Sequence, residues 1–354
     1  MVELKIIPLK EREYLKKLID SCIKKDVFTS PEYISLFQEY HGYEAFFVFY
    51  GDEKNYVLIP YFKRPISASK GMDKWYDIVS PWYYGGPIHN IKETNLLDKL
   101  CKEFLEKFSK YCKENNIVTE FQRLNPLLEN YGLYKHDSSL FFDRKIVYVD
   151  LTKDLNTLYN EYDRHARKNI KKAVRSGLKV YSDDNRKGIK NFIEIYAKSM
   201  KQKNAKEFYF FNERFFNNLF DTFKNEIKLF HVEYNGKIIC SSIELGKYGI
   251  LHDYLRGVDS EVLPLRPNDI LLNEIIIWAK SAGYNYFSIG GGASSAVDDG
   301  IFRFKKSFSA TLADFYVYKK IHNSEKYMEL CNLKGKKQDD VQYEKAPFFP
   351  EYLN

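Results

Sequence analysis

The sequence predicts an α+β protein in which each of two domains pairs a mixed, mostly antiparallel sheet with helices. The chain has 354 residues, which is more than one hydrophobic core usually supports. Hydrophobic residues make up 44% of the chain and aromatic residues 17%, so there is enough apolar material for two cores. Strand-like runs and helical periodicities follow one another in both halves, which is the pattern of sheets covered by helices.

The first half contains two strand-like runs, a helix and two further strands. Residues 44–50 and 56–62 are apolar runs around a turn-forming segment, which predicts two neighbouring strands. Residues 96–114 carry apolar side chains at helical spacing, which predicts an amphipathic helix. Strands are then expected near residues 117–121 and 145–150.

The second half begins with helices and continues with a meander of strands. Asn235 and Gly236 give a strong signal for a two-residue hairpin between the first two strands of that meander. The predicted elements are a helix that begins near residue 155 and stops near Gly177, a helix at 189–201, strands at 228–234, 237–245 and 248–257, a helix at 268–281 and a strand at 284–289. The predicted domains are residues 1–150 and 151–322, followed by a C-terminal strap at 323–354.

The first helix of the second half carries a concentration of positive charge. Seven basic residues and no acidic residue lie between positions 164 and 179. Five of them lie opposite the apolar stripe of the helix, namely Arg164, Arg167, Lys168, Lys171 and Arg175. A solvated helix face is one explanation. The lack of interleaved acids favours another, a site for polyphosphate such as an RNA backbone, a diphospho-lipid or a nucleotide-sugar head.

A glycine triplet follows the last predicted strand. Gly290, Gly291 and Gly292 have no Cβ and therefore permit a close approach of backbone or ligand, although a tight strand-to-loop corner also explains them. The residues that follow suggest the rim of an active site, because cations held against apolar walls are strong electrostatic groups. These residues are Asp298, Asp299, Phe302, Arg303, Phe304, Lys305, Lys306 and Phe308.

This segment resembles the FemABX-like peptidoglycan-bridge aminoacyltransferase family. The similarity lies in the glycine triplet, the pair Asp299-Gly300, the FKxxF motif that contains Lys305, and an aromatic strand at 315–317. Residues 162–180 resemble the basic helix of that family, and residues 251–258 resemble one of its strands.

Two N-terminal segments resemble a second branch, described as GNAT acyltransferases of surface-polysaccharide pathways. They are SPWYYGGPI at 80–88 and TEFQRLNPLLEN at 119–130. The resemblance as a whole covers roughly residues 30–322. It implies two tandem GNAT-like acyltransferase domains without a coiled-coil insertion, the first of them on the acceptor side.

The resemblance also implies the reaction. The donor would be aminoacyl-tRNA, with no metal or other cofactor, and the acceptor an amine on a peptidoglycan or cell-surface glycan precursor, lipid-linked at the inner membrane face in some cases. Ester aminolysis needs a cation for the oxyanion of the tetrahedral intermediate, and Lys305 matches the functional lysine of the family. Phe304 would shape the site and exclude water. A surface lysine beside core aromatic residues is the alternative for Lys305.

The strand at 251–258 supplies further candidates. Simple alternation puts His252, Tyr254 and Arg256 on one face and Asp253 on the other. Tyr254 and Arg256 are then candidate ligands for the acceptor or a phosphate, whereas Asp253 is a candidate partner of a cation. Tyr84 either stacks on the acceptor or is buried in a turn. The predicted substrate-binding residues are Tyr84, Arg164, Arg167, Lys168, Lys171, Tyr254, Arg256, Gly290, Gly291, Gly292 and Asp298.

Two other functions stay open. One is an N-acyltransferase that uses acyl-CoA and acts on a nucleotide- or lipid-linked sugar. The segment 260–272 argues against it, because Pro264, Leu265, Arg266 and Pro267 occupy the place where small residues would close around a pyrophosphate. The other is a non-catalytic RNA- or glycan-binding protein, for which the basic helix would suffice.

Composition indicates the cellular compartment in which we expect the protein to work. The formal net charge is +7, and the five cysteines contain no CxxC pair, so neither disulfides nor structural zinc is expected. No apolar run is long enough to span a bilayer, and the N-terminal residues lack a signal-peptide pattern. We therefore expect a soluble cytoplasmic protein, with peripheral attachment to the inner membrane face as an option. The resemblance to the FemABX-like family, here without a helical insertion, implies a monomer.

Overall fold

The computed structural model describes residues 1–66, 74–294, 296, 298–336 and 348–353. The chain forms two compact units, one of Met1–Arg144 with Asp314–Asn354 and one of Lys145–Ala313. The chain passes from one unit to the other after residues 144 and 313, whereas the sequence analysis places the domain boundaries at 150 and 322. The predicted strap is grouped with the first unit, and its residues 337–347 and 354 lie outside the described residues.

The described residues form the following elements. The strands are β1 (Glu3–Pro8), β2 (Glu44–Gly51), β3 (Tyr56–Pro65), β4 (Tyr76–Val79), β5 (Ile88–His89), β6 (Ile117–Arg123), β7 (Leu140–Asp150), β8 (Lys179–Ser182), β9 (Ile227–Tyr234), β10 (Lys237–Lys247), β11 (Ile250–Val258), β12 (Tyr286–Gly290) and β13 (Leu312–Ile321). The α-helices are α1 (Arg12–Ser21), α2 (Pro31–His41), α3 (Thr94–Glu114), α4 (Leu155–Glu161), α5 (Arg164–Arg175), α6 (Ile189–Gln202), α7 (Glu213–Thr222), α8 (Pro267–Ser281), α9 (Gly300–Lys306) and α10 (Ser324–Leu333). Short 3₁₀ helices lie at Val27–Thr29, Asn130–Tyr134, Glu207–Tyr209, Ser260–Leu265 and Glu351–Leu353.

In the first unit a mixed sheet has the strand order β1-β2-β3-β4-β6-β13, with β5 paired to β3. The β4–β6 pair is parallel and the other pairs are antiparallel. Helix α3 covers this sheet because its apolar stripe carries stacked aromatic residues: Phe104 lies 5.2 Å from Phe108, which lies 5.6 Å from Tyr61 of β3, measured between ring centroids. The helix predicted at 96–114 is thereby confirmed.

In the second unit the strand order is β7-β12-β11-β10-β9-β8. Asn235 and Gly236, both with positive φ, connect β9 to β10, so the predicted hairpin is confirmed. The β11–β12 pair is parallel and covers only three residue pairs, the last of which joins His252 to Ser288. Since β11 continues to Val258, the two strands separate beyond this point, and ligand sites of such sheets lie at the carboxyl ends of their parallel strands.

Helices cover both faces of this second sheet. Ala166 and Ile170 of α5 share a core with Ile275 of α8 and Leu251 of β11. Helix α6 packs against β11 so closely that a Cβ on Gly257 would lie 2.7 Å from the backbone nitrogen of Tyr196. Leu251 and Gly257 would lie on the same face of a regular strand, because an even number of residues separates them. The β-bulge between them shifts the alternation by one residue, so they lie on opposite faces of the sheet.

The predicted basic helix is two helices in the structure, which corrects the prediction of one helix from residue 155 to Gly177. Helix α4 ends at Glu161 and α5 begins at Arg164. The side chain of Asp163 accepts a hydrogen bond from the backbone nitrogen of Ala166 at 2.6 Å, which is an N-cap and favours a new helix start. The apolar periodicity continues across the break, so it did not reveal the cap.

Candidate active site

The three consecutive glycines have three different structural roles. Gly290 adopts a φ of +77°, which an L residue rarely adopts, at the end of β12. The carbonyl oxygen of Gly291 accepts a hydrogen bond from Lys305 Nζ at 2.8 Å. A Cβ on Gly292 would lie 2.5 Å from Oδ1 of Asp299, so only glycine leaves room for that carboxylate.

Asp299 joins this glycine corner to helix α9. Its Oδ1 accepts hydrogen bonds from the backbone nitrogens of Ile301 and Phe302, each at 2.9 Å, and thereby caps the helix. Its Oδ2 accepts from the backbone nitrogen of Ser294 at 3.1 Å. The hydrogen bond from Phe302 is the main cause that lowers the pKa of Asp299. Asp298, the neighbouring predicted ligand, is exposed.

Helix α9 carries Lys305 into a desolvated position. Burial lowers the pKa of Lys305 to about 8, against the opposing effect of the Asp253 carboxylate; the cations Arg256 and Lys203 lower it further. Phe304 is half-buried, and its ring centroid lies 5.5 Å from that of Phe308. The site thus contains an ammonium group beside aromatic walls and next to the glycine corner.

A β-bulge brings charged residues of β11 to this ammonium group. Ile243 of β10 pairs with Leu255, but the next residue, Glu244, pairs with Asp253, so Tyr254 is an additional residue in β11. Asp253 Oδ1 therefore lies 3.1 Å from Arg256 Nη2 in an ion pair. The expectation that alternation separates Asp253 from Arg256 is wrong, because the bulge shifts the alternation by one residue.

Opposite Asp253 lies an acid that the sequence analysis missed. Glu244 is fully buried, and the hydroxyl of Ser242 donates a hydrogen bond to its carboxylate. The same hydroxyl lies 3.4 Å from Asp253 Oδ1. Burial raises the pKa of Glu244 well above its usual range, and the Asp253 carboxylate raises it further. The one feature of the sequence that could have pointed to Glu244 is that it is a lone acid within an apolar strand.

This cluster of Ser242, Glu244, Asp253 and Arg256 is incompletely satisfied. Within the part of the chain that the structure describes, three buried atoms of the cluster make no hydrogen bond: Oε2 of Glu244, and Nε and Nη2 of Arg256. Of these, Nη2 has only the ion-pair contact with Asp253. Buried polar atoms nearly always have partners, and exceptions concentrate where a ligand or water completes the set. The cluster therefore has capacity for a group that the described chain does not supply.

Comparisons with known proteins show which proteins this chain is similar to. The family model described as an acetyltransferase (GNAT) domain matches residues 162–306. The UDP-N-acetylmuramoylpentapeptide-lysine N(6)-alanyltransferase of Weissella viridescens is 23% identical over 265 residues, which cover 69% of this chain and 76% of that protein.

Solved structures with the same fold include a crystal structure of FemX. It superimposes with a TM-score of 0.65 at 13% identity, covering 92% of this chain and 98% of that chain. Together these similarities support the FemABX-like family that the sequence analysis predicted. A conserved protein of unknown function from Bacteroides thetaiotaomicron has a TM-score of 0.52 at 13% identity and covers 90% of this chain and 99% of that chain. The predicted α+β fold with GNAT-like domains is thereby confirmed.

The basic face of α5 is exposed. Arg164, Lys168 and Lys171 are exposed, and none of them forms an ion pair with any residue that the structure describes. Arg167 differs, because it donates hydrogen bonds to the carbonyl oxygens of Asn160, at 3.1 Å, and Tyr162. Arg167 thus satisfies the end of α4, and three of the four predicted basic ligands extend into solvent.

Tyr84 lies in the first unit, in an aromatic cluster. It is 7% exposed, and its ring centroid lies 4.9 Å from Tyr83, 5.9 Å from Phe28 and 5.5 Å from Phe315. This is the buried turn that the sequence left open as the alternative to a stacking surface. Tyr254 is also buried, with 4% exposure.

The second unit also contains two cavities away from the glycine corner. A cavity of about 360 Å³ lies along residues 181–191 and one of about 320 Å³ along residues 220–229, and neither is lined by Lys305. The described residues contain no group of three His, Cys, Asp or Glu side chains that could hold a metal ion. No described helix is long and apolar enough to cross a membrane.

Proposed function

We propose that this chain transfers an aminoacyl group from aminoacyl-tRNA to an amine on a peptidoglycan precursor. The observation that carries the proposal is Lys305 Nζ, desolvated at the glycine corner of a chain similar to a peptidoglycan-precursor alanyltransferase. A cell-surface glycan precursor with a free amine is the related acceptor. The reaction needs no cofactor, because the ester of the donor is already activated.

The chemistry is an ester aminolysis. The amine nitrogen bonds to the ester carbonyl carbon, an oxyanion forms, and the bond from that carbon to the ribose oxygen then breaks. Lys305 stabilises the oxyanion, because an ammonium group held in a desolvated site needs little reorganisation when charge develops. Phe304 forms a wall that keeps water from the ester. Arg256, whose Nε makes no hydrogen bond among the described residues, is a ligand for a substrate anion.

The exposed cations of α5 bind the RNA. Arg164, Lys168 and Lys171 present positive charge without acidic neighbours along one helix, as a phosphate backbone requires. The first predicted domain, residues 1–150, takes the acceptor side. We further propose that the enzyme works as a monomer in the cytoplasm, on a precursor that is either soluble or lipid-linked at the inner membrane face.

An acyl-CoA-dependent N-acyltransferase is the second candidate, favoured by the match to an acetyltransferase (GNAT) domain. The loop before α8 argues against it. Residues Ser260–Leu265 form a 3₁₀ helix with Pro264 inside it, and Arg266 adopts a φ of +67°. Such a segment offers few free backbone N–H groups to a pyrophosphate.

The test is a competition between donors. Purified protein is incubated with labelled aminoacyl-tRNAs, or with labelled acetyl-CoA, and with UDP-N-acetylmuramoylpentapeptide that contains lysine. We expect label from at least one aminoacyl-tRNA in the precursor and none from acetyl-CoA. Transfer from acetyl-CoA alone would support the second candidate, and tRNA binding without any transfer would support a non-catalytic RNA-binding protein.

A further inference from the structure

The reaction proposed above leaves one proton without an acceptor. An amine such as the lysine side chain is protonated near neutral pH, because its pKa is about 10.4. Its nitrogen starts with three protons and keeps one in the amide product. A second proton goes to the ribose oxygen as the ester bond breaks. The third must leave before the nitrogen can attack, so the site needs a base.

Two acids of the second unit lie where such a base would be needed. Glu244 and Asp253 are direct cross-strand partners in β10 and β11, and Ser242 bridges them. They lie just beyond the row that ends the β11–β12 pairing at His252 and Ser288. Lys305 Nζ donates a hydrogen bond to Gly291, which follows β12 directly, so the base candidate on β11 and the oxyanion candidate lie at the ends of paired strands. In agreement with this, the Asp253 carboxylate opposes the lowering of the Lys305 pKa.

The two acids differ in how a substrate could reach them. Glu244 is fully buried, whereas the side chain of Asp253 retains 9% exposure. Two neighbouring carboxylates in a desolvated site do not ionise together, so the more buried one holds a proton. That one is Glu244, while Asp253 forms the ion pair with Arg256. The acid that a substrate can reach is therefore Asp253.

A closed structural ion pair would look different. In such a pair the guanidinium and both carboxylates would be saturated with hydrogen bonds. Here Nε of Arg256 and Oε2 of Glu244 are buried and make no hydrogen bond among the described residues. The cluster around Asp253 thus has buried polar atoms on both Arg256 and Glu244 that can still form hydrogen bonds, which is what a site that receives a polar substrate requires.

We propose that Asp253 accepts the proton of the attacking ammonium group, and that Ser242, Arg256 and protonated Glu244 are positioning residues that hold its carboxylate. The proposal rests on the aminoacyl transfer proposed above. The ammonium group gives one proton to Asp253, the neutral nitrogen bonds to the ester carbon, and the second proton follows the ribose oxygen. Asp253 then releases its proton to water.

The test compares two acceptor amines. Lysine-containing UDP-N-acetylmuramoylpentapeptide needs a base, whereas hydroxylamine is largely unprotonated near neutral pH and can attack without one. For Asp253→Asn we expect kcat/KM with the lysine acceptor to fall about a hundredfold to ten-thousandfold, the usual contribution of general base catalysis. With hydroxylamine the loss of the same variant should be much smaller than with the lysine acceptor, after subtraction of the uncatalysed reaction.

Two further variants separate a catalytic role from a structural one. Glu244→Gln should lose much less activity with the lysine acceptor than Asp253→Asn, because an amide retains the hydrogen-bonding capacity of a protonated carboxyl group. Asp183→Asn is the matched control, since Asp183 is also an acid with little exposed side chain and an ion-pair partner, 3.4 Å from Nε2 of His231. It should show no difference between the amines.

The outcomes are distinguishable. If kcat/KM of Asp253→Asn fell by the same factor with both amines, the role of Asp253 would be structural and the proposal would be overturned. A selective loss with the lysine acceptor in Glu244→Gln would assign the base to Glu244 instead and also overturn it. A wild-type protein that transfers to neither amine would overturn the proposed function, and this inference with it.

Discussion

Gly292 connects the backbone geometry of the site to its chemistry. Its missing Cβ leaves room for Asp299, which caps the helix that carries Lys305. A side chain at this position would push the carboxylate away, and the hydrogen bond that directs Lys305 to Gly291 depends on the same corner. The role of this glycine is therefore steric rather than conformational.

Gly292→Ala should impair transfer more than it impairs stability. The loss of the Asp299 cap costs about 0.5–2 kcal/mol, which lowers Tm modestly, whereas a displaced Lys305 loses oxyanion stabilisation. Gly300→Ala is the matched control, because a Cβ there would meet no atom within 4 Å. The measurement is Tm together with kcat/KM for both variants; a Gly292→Ala enzyme with wild-type kcat/KM would contradict the steric role.

Single residues show what the sequence could and could not predict. Lys305 and the glycine triplet are recognisable because they lie within one short segment. Glu244 was missed, because its importance depends on Asp253 in the neighbouring strand and on burial, neither of which local patterns contain. Asp253 was placed on the wrong face, because a bulge leaves no signal in the strand residues themselves.

At the scale of elements, α5 has the features of an RNA-binding helix. Its apolar side packs against α8, and its exposed side carries Arg164, Lys168 and Lys171. The periodicity predicted this helix correctly as amphipathic and basic, but it did not predict the break before it. That break depends on the cap by Asp163, a local hydrogen bond that competes with helix continuation.

Removing two charges from α5 should weaken tRNA binding in a salt-dependent manner. Each lost phosphate contact reduces the slope of log Kobs against log salt by about 0.7 to 0.9, so Lys168→Ala/Lys171→Ala should reduce it by about 1.5. The control is Lys99→Ala/Lys110→Ala, since these lysines on α3 are equally exposed. Binding titrations over a range of salt concentrations give the slopes; equal slopes in all three proteins would contradict a role for α5.

At the scale of the whole molecule, the sequence predicted two domains of α+β type, and the chain forms two compact units. It did not predict that residues after 314 belong with the first unit. The reason is that β13 pairs with β6 through residues almost two hundred positions apart, and sequence proximity carries no information on such a pairing. The first unit thus combines two segments that are far apart in the sequence.

The central claim is that Lys305 stabilises the oxyanion in aminoacyl transfer. The most direct measurement is single-turnover transfer from alanyl-tRNA to hydroxylamine by wild type, Lys305→Ala, Lys305→Arg and the exposed neighbour control Lys306→Ala. Lys305→Ala should be about a hundredfold to a thousandfold slower, and Lys306→Ala should match wild type.

The pH dependence adds a second criterion to the same measurement. Because the pKa of Lys305 is about 8, the wild-type rate should fall as pH rises above that value and the ammonium group loses its proton. The residual rate of Lys305→Arg should show no such fall, since arginine stays charged. An unchanged rate for Lys305→Ala, or the same alkaline fall in Lys305→Arg, would contradict the account.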